Sequence, residues 1–524
     1  MTSYSQLVRR ASLRLGKRLA YLTMEMHSQL TPVGSPTPDP TSNPPAASNP
    51  PAASRPGPVL TVLCAAAFMA SLDVFIVNVA FTDISHSFRG SSLSDLSWIL
   101  NGYAILYAAL LVPLGRISDR YGRKPGFLAG LALFTAASAA CALSGGLWTL
   151  VAFRALQAVG AAALTPSSLG LLLNATPAPG RARAVRIWAA SGALASAAGP
   201  VLGGLLVEAS WRWVFLVNVP VGLLALVAAV RWVPDSRDTS VRRTPDLLGA
   251  ALLAVAIGTL ALGLVKGPDW GWTSIGVTGC LLVTVLGVAV FWHRSLHHPS
   301  PVVEPALLRV RAFAWSNVTA LLFSLAFAAA LLSQILWLQD VWGYTALRTG
   351  LAIAPGPLMV PLFATFGHQL RGRVHVGHLT ALGCLAVAAG VAVLIASVGP
   401  DRSYAAEMLP GILLTGVGVG FALPTILSSA TADLPPARAA TGSAVVNMGR
   451  QIGSVIGISV LVVVLGTHTG YGPAHAAFQH IWWVVFGVCL LSAAAAFGMA
   501  PGRPVSAAQT NVDAVQPFPP DRSE

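Results

Sequence analysis

Gly115-Arg116-Ile117-Ser118-Asp119-Arg120-Tyr121-Gly122-Arg123-Lys124 stands between two runs, near 96–114 and 126–144, that contain no acid or base. Each run has the roughly 20 residues a helix needs to cross a hydrocarbon layer about 30 Å thick. The charged stretch therefore reads as a tight turn between two spans. Gly115 and Gly122 supply backbone freedom where the chain must turn or approach a neighbour. Asp119, set among Arg116, Arg120 and Arg123, can pair with them and with the adjoining helix ends. Such pairs can close one face of a two-state protein and release it. The ordered spacing argues against a plain charged turn.

The same alternation runs outward from this turn. Apolar segments lie near 58–82, 96–114, 126–144, 148–172, 187–207 and 213–232, then near 247–265 and 275–293. Six more lie near 312–337, 350–366, 377–397, 405–427, 441–465 and 479–499. Over the 524 residues 55% are hydrophobic and 10% charged, with mean hydropathy +0.69. A soluble domain carries about 25% charged residues, so this chain has lipid as its solvent. The reading is an all-α membrane protein of fourteen spans, grouped six, two and six. Seventeen Lys and Arg fall in the loops on one side and five on the other. That bias places both termini in the cytoplasm of a multi-pass cell-membrane protein.

Several classes are excluded on the same grounds. The net charge of +13 is dispersed between apolar runs rather than gathered on one module, which speaks against nucleic acid as a partner. There is no phosphate-binding glycine loop, so no nucleotide is expected. Cys64, Cys141, Cys280, Cys384 and Cys489 are isolated among apolar neighbours, and His293, His297 and His298 lack further ligands, so neither metal nor other cofactor is expected. Residues 1–57 hold a basic stretch, Arg9 to Arg18, and then a run rich in Pro, Ser, Thr and Asn, which reads as disordered. The basic stretch either lies on an anionic membrane surface or is translated upstream of a start at Met24 or Met26. Residues 501–524 read as a cytoplasmic tail. Between these ends the expected units are a six-helix bundle over 58–233, a two-helix insertion over 247–293 and a second bundle over 312–500.

Two ionisable groups fall inside spans of the first half. Asp73 is the one carboxylate well within them, and Arg154 is the matching base. An ionisable group at bilayer depth costs about 2.5–3.5 kcal/mol on insertion scales, which marks it as a functional group by default. Counting at about 1.5 Å per residue puts the two within roughly 5 Å in depth. Either they act as a proton and substrate switch, or they form a static ion pair that merely satisfies itself. Tyr103 and Tyr107, four residues apart on one helix face, either line a cavity or pack as ordinary core. Asp340 and Glu407, at span ends, read mainly as solvated boundary charges. Arg450 reads as a side chain that reaches back to the cytoplasmic headgroups.

The turn at Gly115–Lys124 resembles the loop between helices two and three of the major facilitator superfamily. Three further stretches are similar to its fourteen-helix drug:proton antiporters of the EmrB/QacA type. Leu72-Asp73-Val74-Phe75-Ile76-Val77-Asn78-Val79-Ala80 resembles the acid-bearing first-helix motif, departing from it at Phe75 and at Phe81-Thr82. Arg154-Ala155-Leu156-Gln157-Ala158-Val159-Gly160 resembles the Arg/Gln motif, with Ala158 where glycine is usual. Gly192 through Gly199-Pro200-Val201-Leu202-Gly203-Gly204 resembles the Gly-Pro motif associated with antiport, and Trp211 to Pro220 the junction between helices five and six. In the second half, Gly367-His368-Gln369-Leu370-Arg371-Gly372-Arg373 looks like a copy of the first turn without its acid, and Ala444 to Gln451 resembles a polar segment of the family.

The resemblance implies two six-helix bundles around a central cavity plus two extra helices. It implies a protein that is not an enzyme, and that exports amphipathic or cationic small molecules in exchange for protons. Asp73, Arg154, Gln157 and Asn78 would serve proton coupling and substrate. Gly115, Arg116, Asp119, Arg120, Gly122 and Arg123 would form a cytoplasmic gate, and Gly192, Gly199, Pro200, Gly203 and Gly204 the antiporter motif. A dedicated exporter of one endogenous metabolite or antibiotic, and a membrane sensor that transports nothing, remain as alternatives.

Overall fold

Inside hydrocarbon, backbone N–H and C=O groups have no water to bind, so an apolar chain crosses as helices that satisfy themselves. The computed structural model describes residues 56–237, 244–370, 373–466 and 470–499. Among them fourteen helices are long and apolar enough to cross a membrane. These are α1 (Gly57–Ser87), α2 (Leu93–Tyr121), α3 (Arg123–Ala142), α4 (Leu147–Ala175), α5 (Arg183–Ala209), α6 (Trp213–Trp232), α7 (Leu247–Trp270), α8 (Ile275–His297), α9 (Arg311–Val341), α10 (Ala346–Leu370), α11 (Val376–Ser397), α12 (Tyr404–Ala432), α13 (Arg438–Leu465) and α14 (Tyr471–Met499). The expected extension at 1–57 is described only from Pro56, and the tail at 501–524, Arg371 and Gly372 lie outside the described residues.

Several helices outrun the apolar segments that mark them. The helix of α2 carries Arg116, Asp119 and Arg120 through its last turns before Gly122 ends it at φ +130°. Length beyond the hydrocarbon costs nothing in lipid terms, so polarity does not fix the helix end; the glycine does. Local caps set other ends. The Asp246 side chain accepts the Gly249 N–H at 2.8 Å to start α7. Ser274 accepts the Val277 N–H to start α8. Pro113, Pro166, Pro200, Pro361 and Pro424 lie inside α2, α4, α5, α10 and α12, where each removes a backbone donor and loosens the helix.

Helices α1–α6 pack into one bundle and α9–α14 into another. The bundles meet along two seams, α2 against α13 and α5 against α10. The remaining pair, α7 and α8, pack on each other, and α7 lies against both α2 and α13. Lys266 of α7 reaches Asp95 of α2 at 2.9 Å, so the inserted pair is fastened beside the first seam. Most of α8 faces outward from the protein: Leu282, Val285, Leu286 and Val290 are half exposed or more, as lipid-facing residues are.

The α5–α10 seam is built of small residues. A Cβ placed on Gly350 would overlap the Pro200 carbonyl, and one on Gly204 would stand 2.5 Å from the Ala346 oxygen. Glycine at both positions lets the backbones touch. The contact is concentrated in the first segment of α10, Ala346–Ile353; the second, Pro355–Leu370, meets α5 only sparingly. The two helices thus close at the end carrying the α9–α10 turn and separate toward the end carrying the α2–α3 turn, here named the basic end.

Candidate functional site

Within the first bundle, five helices contribute to one buried polar cluster. Asp73 of α1 is 0% exposed and Arg154 of α4 1%. Arg154 Nη1 donates to Asp73 Oδ2 at 2.5 Å and to Gln157 Oε1 at 2.6 Å, while its Nε donates to the Ile99 carbonyl of α2 at 3.3 Å. Gln157 Nε2 donates to Asp73 Oδ1 and to Ser138 Oγ of α3, both at 2.8 Å. Asn218 of α6 donates to Asp73 Oδ1 at 3.0 Å. The guanidinium carbon lies 4.2 Å from the centre of the Tyr103 ring, a cation–π contact that covers the charge with an apolar face. Every oxygen of the carboxylate is thus matched, as a charge at this depth requires.

Arg154 and Gln157 are one turn apart on α4, so both side chains leave the same face toward α1. Of the expected coupling residues the structure brings together Asp73, Arg154 and Gln157. It does not bring in Asn78, whose amide donates to the Val74 carbonyl of its own helix at 2.9 Å. Asn218 and Ser138 were missed. Asn218 is an amide amid Val217, Val219 and Pro220, and a polar group in so apolar a setting was the available signal.

The glycines of α5 serve α1 as well as α10. A Cβ on Gly199 would lie 2.6 Å from Phe75 Cβ, one on Gly203 2.9 Å from Ile76, and one on Gly192 3.4 Å from Ser71 Oγ. These contacts fix α1 laterally, and with it Asp73. Pro200 sits between Gly199, which faces α1, and Val201, beside Gly350 of α10, so one segment of α5 touches both bundles.

At the basic end the expected gate is only partly a cluster of its own. Asp119 accepts from Arg123 Nε at 2.6 Å, four residues on and just past the turn at Gly122. Arg116 turns away from Asp119: Nη2 meets Glu304 at 2.8 Å, and Nη1 donates to Ser300 Oγ at 2.9 Å and to the Pro301 carbonyl at 2.8 Å. Since Glu304 precedes α9, this pair ties the two bundles. Arg438 at the start of α13 approaches the same carboxylate at 3.7 Å. Arg120 lies over Tyr121 at 5.2 Å. Gly115 faces Pro166 of α4 at close range, and Gly122 lies against Pro125 and Asp235. The Arg123 backbone N–H donates to the Ser236 carbonyl at 2.9 Å, which clips the turn to the segment after α6.

At the opposite end Thr82 of α1 donates to Asp340 of α9 at 3.3 Å, and Gln339 to the Val79 carbonyl at 3.1 Å. Asp340 is exposed, as expected of a boundary charge. Glu407 is not: it is 9% exposed, and its carboxylate accepts the Gly399 N–H at 2.7 Å and the Ser403 N–H at 3.3 Å. It holds the turn between α11 and α12 in shape, because two backbone donors there would otherwise be unmatched. Arg450 also departs from expectation. Its Nη1 donates to Asn447 at 3.0 Å, and its Nε is buried without an acceptor among the described residues rather than extended to the membrane surface.

Comparison with known proteins places this arrangement. The family model described as Major Facilitator Superfamily matches residues 63–458. The chain is 35% identical over 400 residues to the multidrug resistance protein Stp of Mycobacterium tuberculosis strain H37Rv, covering 76% of this chain and 74% of that one. It is 34% identical to the tetracenomycin C resistance and export protein of Streptomyces glaucescens, covering 79% and 76%, and 32% identical to the methylenomycin A resistance protein of Bacillus subtilis, covering 80% and 90%. Among solved structures it resembles a peptide transporter POT in complex with sulfate (TM-score 0.60, 19% identity, 85% of this chain and 96% of that one) and a D-xylose-proton symporter (TM-score 0.61, 13% identity, 85% and 98%).

Proposed function

Because the chain belongs to the major facilitator superfamily, and is therefore a multi-pass transporter of small molecules in the cell membrane, we propose that it exports amphipathic molecules in exchange for protons, with Asp73 as the proton carrier. The observation that carries this reading is the buried contact of Asp73 with Arg154, Gln157 and Asn218. A single carboxylate held at bilayer depth by three movable donors can be charged when they converge on it and protonated when they part. The relatives named for multidrug resistance and for antibiotic export support the outward direction of transport.

In this reading the basic end is cytoplasmic. The α5–α10 contact and the Thr82–Asp340 and Gln339–Val79 bonds then close the outer face, while the separation of α5 from α10 opens the space between bundles toward the cytoplasm. Rocking of the bundles would break the outer set and tighten the inner one, with Arg116 and Glu304 as a tie between them. Coupling requires that Asp73 meet different surroundings in the two states, since a group with equal affinity in both couples nothing. The proline and glycine segment of α5, which touches α1 on one face and α10 on the other, is the element that would transmit the change.

A narrower reading, export of one metabolite, is favoured by relatives named for single antibiotics. The test of both is uptake of a panel of fluorescent amphipaths into everted membrane vesicles energised by an acid interior. Uptake abolished by collapsing the pH gradient supports proton-coupled export, and the breadth of the panel accepted separates the two readings. Uptake that persists without the gradient would sink proton coupling.

A further inference from the structure

Arg450 lies 12 residues after Arg438 in α13, about 18 Å along a helix that spans the membrane. A guanidinium at that depth is costly unless something answers its charge. Arg154 shows how this chain answers such a group, with a carboxylate, an amide and a carbonyl. Arg450 has an amide oxygen on one nitrogen and a buried Nε with no acceptor among the described residues. The carboxylates paired with bases among the described residues belong to others: Asp73 to Arg154, Glu304 to Arg116, Asp119 to Arg123, Asp95 and Asp269 to Lys266, Asp235 to Arg237 and Asp246 to Arg294.

The surroundings of Arg450 are polar and less tightly buried than those of Asp73. Tyr107 lies on α2, the helix that packs on α13 across the seam, and the Tyr107 hydroxyl bonds Thr165 of α4 at 3.3 Å. One residue before Arg450, Gly449 faces Asn317 of α9. Tyr107, Thr165, Asn317, Asn447 and Arg450 all remain partly exposed, in contrast to the sealed group around Asp73. They come from both bundles and offer hydroxyl and amide groups, an aromatic ring and one unanswered positive charge.

We infer that Arg450 recognises the transported molecule and that this molecule is an amphipathic organic acid, its anionic head on the guanidinium and its apolar or aromatic body against Tyr107. The inference rests on the transport reading above and names its substrate class. A planar guanidinium offers forked donors that match a carboxylate or an acidic aromatic oxygen, and a ring beside it suits a flat body. A lipophilic cation would meet repulsion there. The site also stands two rings from the proposed proton carrier. The Tyr107 ring stacks on Tyr103 at 6.0 Å and 9°, and Tyr103 covers the Arg154 guanidinium. An anion that draws Arg450 and Tyr107 toward itself thus pulls on the stack that ends at Asp73.

The test uses the full chain in lipid nanodiscs and three probes of one shape: anthracene-9-carboxylate, its neutral amide and the corresponding methylammonium cation. Wild type should bind the carboxylate at least tenfold more tightly than the cation. Arg450→Gln should lose that preference while keeping its affinity for the amide, which shows that the variant is folded. Arg450→Lys should retain the preference with weaker binding. Binding of the cation as tight as that of the carboxylate, absence of carboxylate binding, or a preference that survives Arg450→Gln would overturn the inference. If carboxylate binding depends on Arg450 but no probe is moved by a pH gradient, the site stands and proton-coupled export falls. If the cation is bound and exported against protons, export stands and the acid site falls.

Discussion

Arg154 closes on Asp73 at 2.5 Å, with both side chains removed from solvent inside a single bundle. The pair does not bridge the bundles, so rocking one against the other need not break it directly. It has to be reached through α1, whose position is set by the α5 glycines, or through Tyr103.

If the pair serves transport and is not merely stabilising, its two roles separate in a double replacement. Arg154→Met alone leaves a buried carboxylate without its counter-charge, at a cost of about 3–5 kcal/mol. Arg154→Met combined with Asp73→Asn removes both charges and should recover most of the thermal midpoint in detergent. Transport should be absent in both. A double variant that regained pH-driven uptake would show the pair to be structural only.

Asn78 serves as the opposite control. Its amide is used by the Val74 carbonyl of its own helix, so Asn78→Ala should change uptake less than twofold. A loss of tenfold or more would mean that α1 rotates to present Asn78 in another state of the cycle.

Asn218→Leu should be severe by comparison. It withdraws one of the donors to the Asp73 carboxylate, an interaction with a charged group worth about 1.5–3 kcal/mol. The expected outcome is a fall in pH-driven uptake of about tenfold or more, with substrate affinity within threefold of wild type. Uptake equal to that of wild type would remove Asn218 from the site.

How far the site was legible follows from these residues. Asp73, Arg154 and Gln157 stood out because a charge or amide at bilayer depth is rare and needs partners, and their helical depths could be compared before any coordinates. Asn218 was hidden by its place at the start of a span, where polarity looks like a boundary. The fourteen spans were legible because lipid imposes one length and one composition on all of them. Their ends were not, since α2 continues about two turns of polar helix past its apolar run and stops only where Gly122 allows. The partners of Arg116 and Glu407 were beyond sequence altogether: both depend on which loops the tertiary packing brings alongside.

The tie between Arg116 and Glu304 is partly exposed, at 13% and 27%, and is worth about 0.5–1 kcal/mol. Arg116→Gln and Glu304→Gln should therefore each shift the balance of the two states two- to fivefold, and the double variant by less than the product of the two single shifts. Spin-label distances across the basic end measure this directly. Additive shifts would mean that the two residues act apart.

Packing at the other seam is less forgiving. Gly350→Val forces a side chain onto the Pro200 carbonyl, so the α5–α10 contact cannot close. A cysteine introduced at Thr82 should then become labelled by a membrane-impermeant thiol reagent from outside the cell, against little labelling in the otherwise native chain. Unchanged labelling would place that end of the bundle on the cytoplasmic side, or show the seam to be irrelevant to access.

The most direct measurement is proton release from acid-loaded proteoliposomes, followed with an external pH-sensitive dye, when an amphipathic substrate is added outside. Wild type should release protons on addition of substrate and Asp73→Asn should release none, while binding substrate in nanodiscs with unchanged affinity. Equal release by the Asp73→Asn variant would contradict the assignment of Asp73 as the proton carrier.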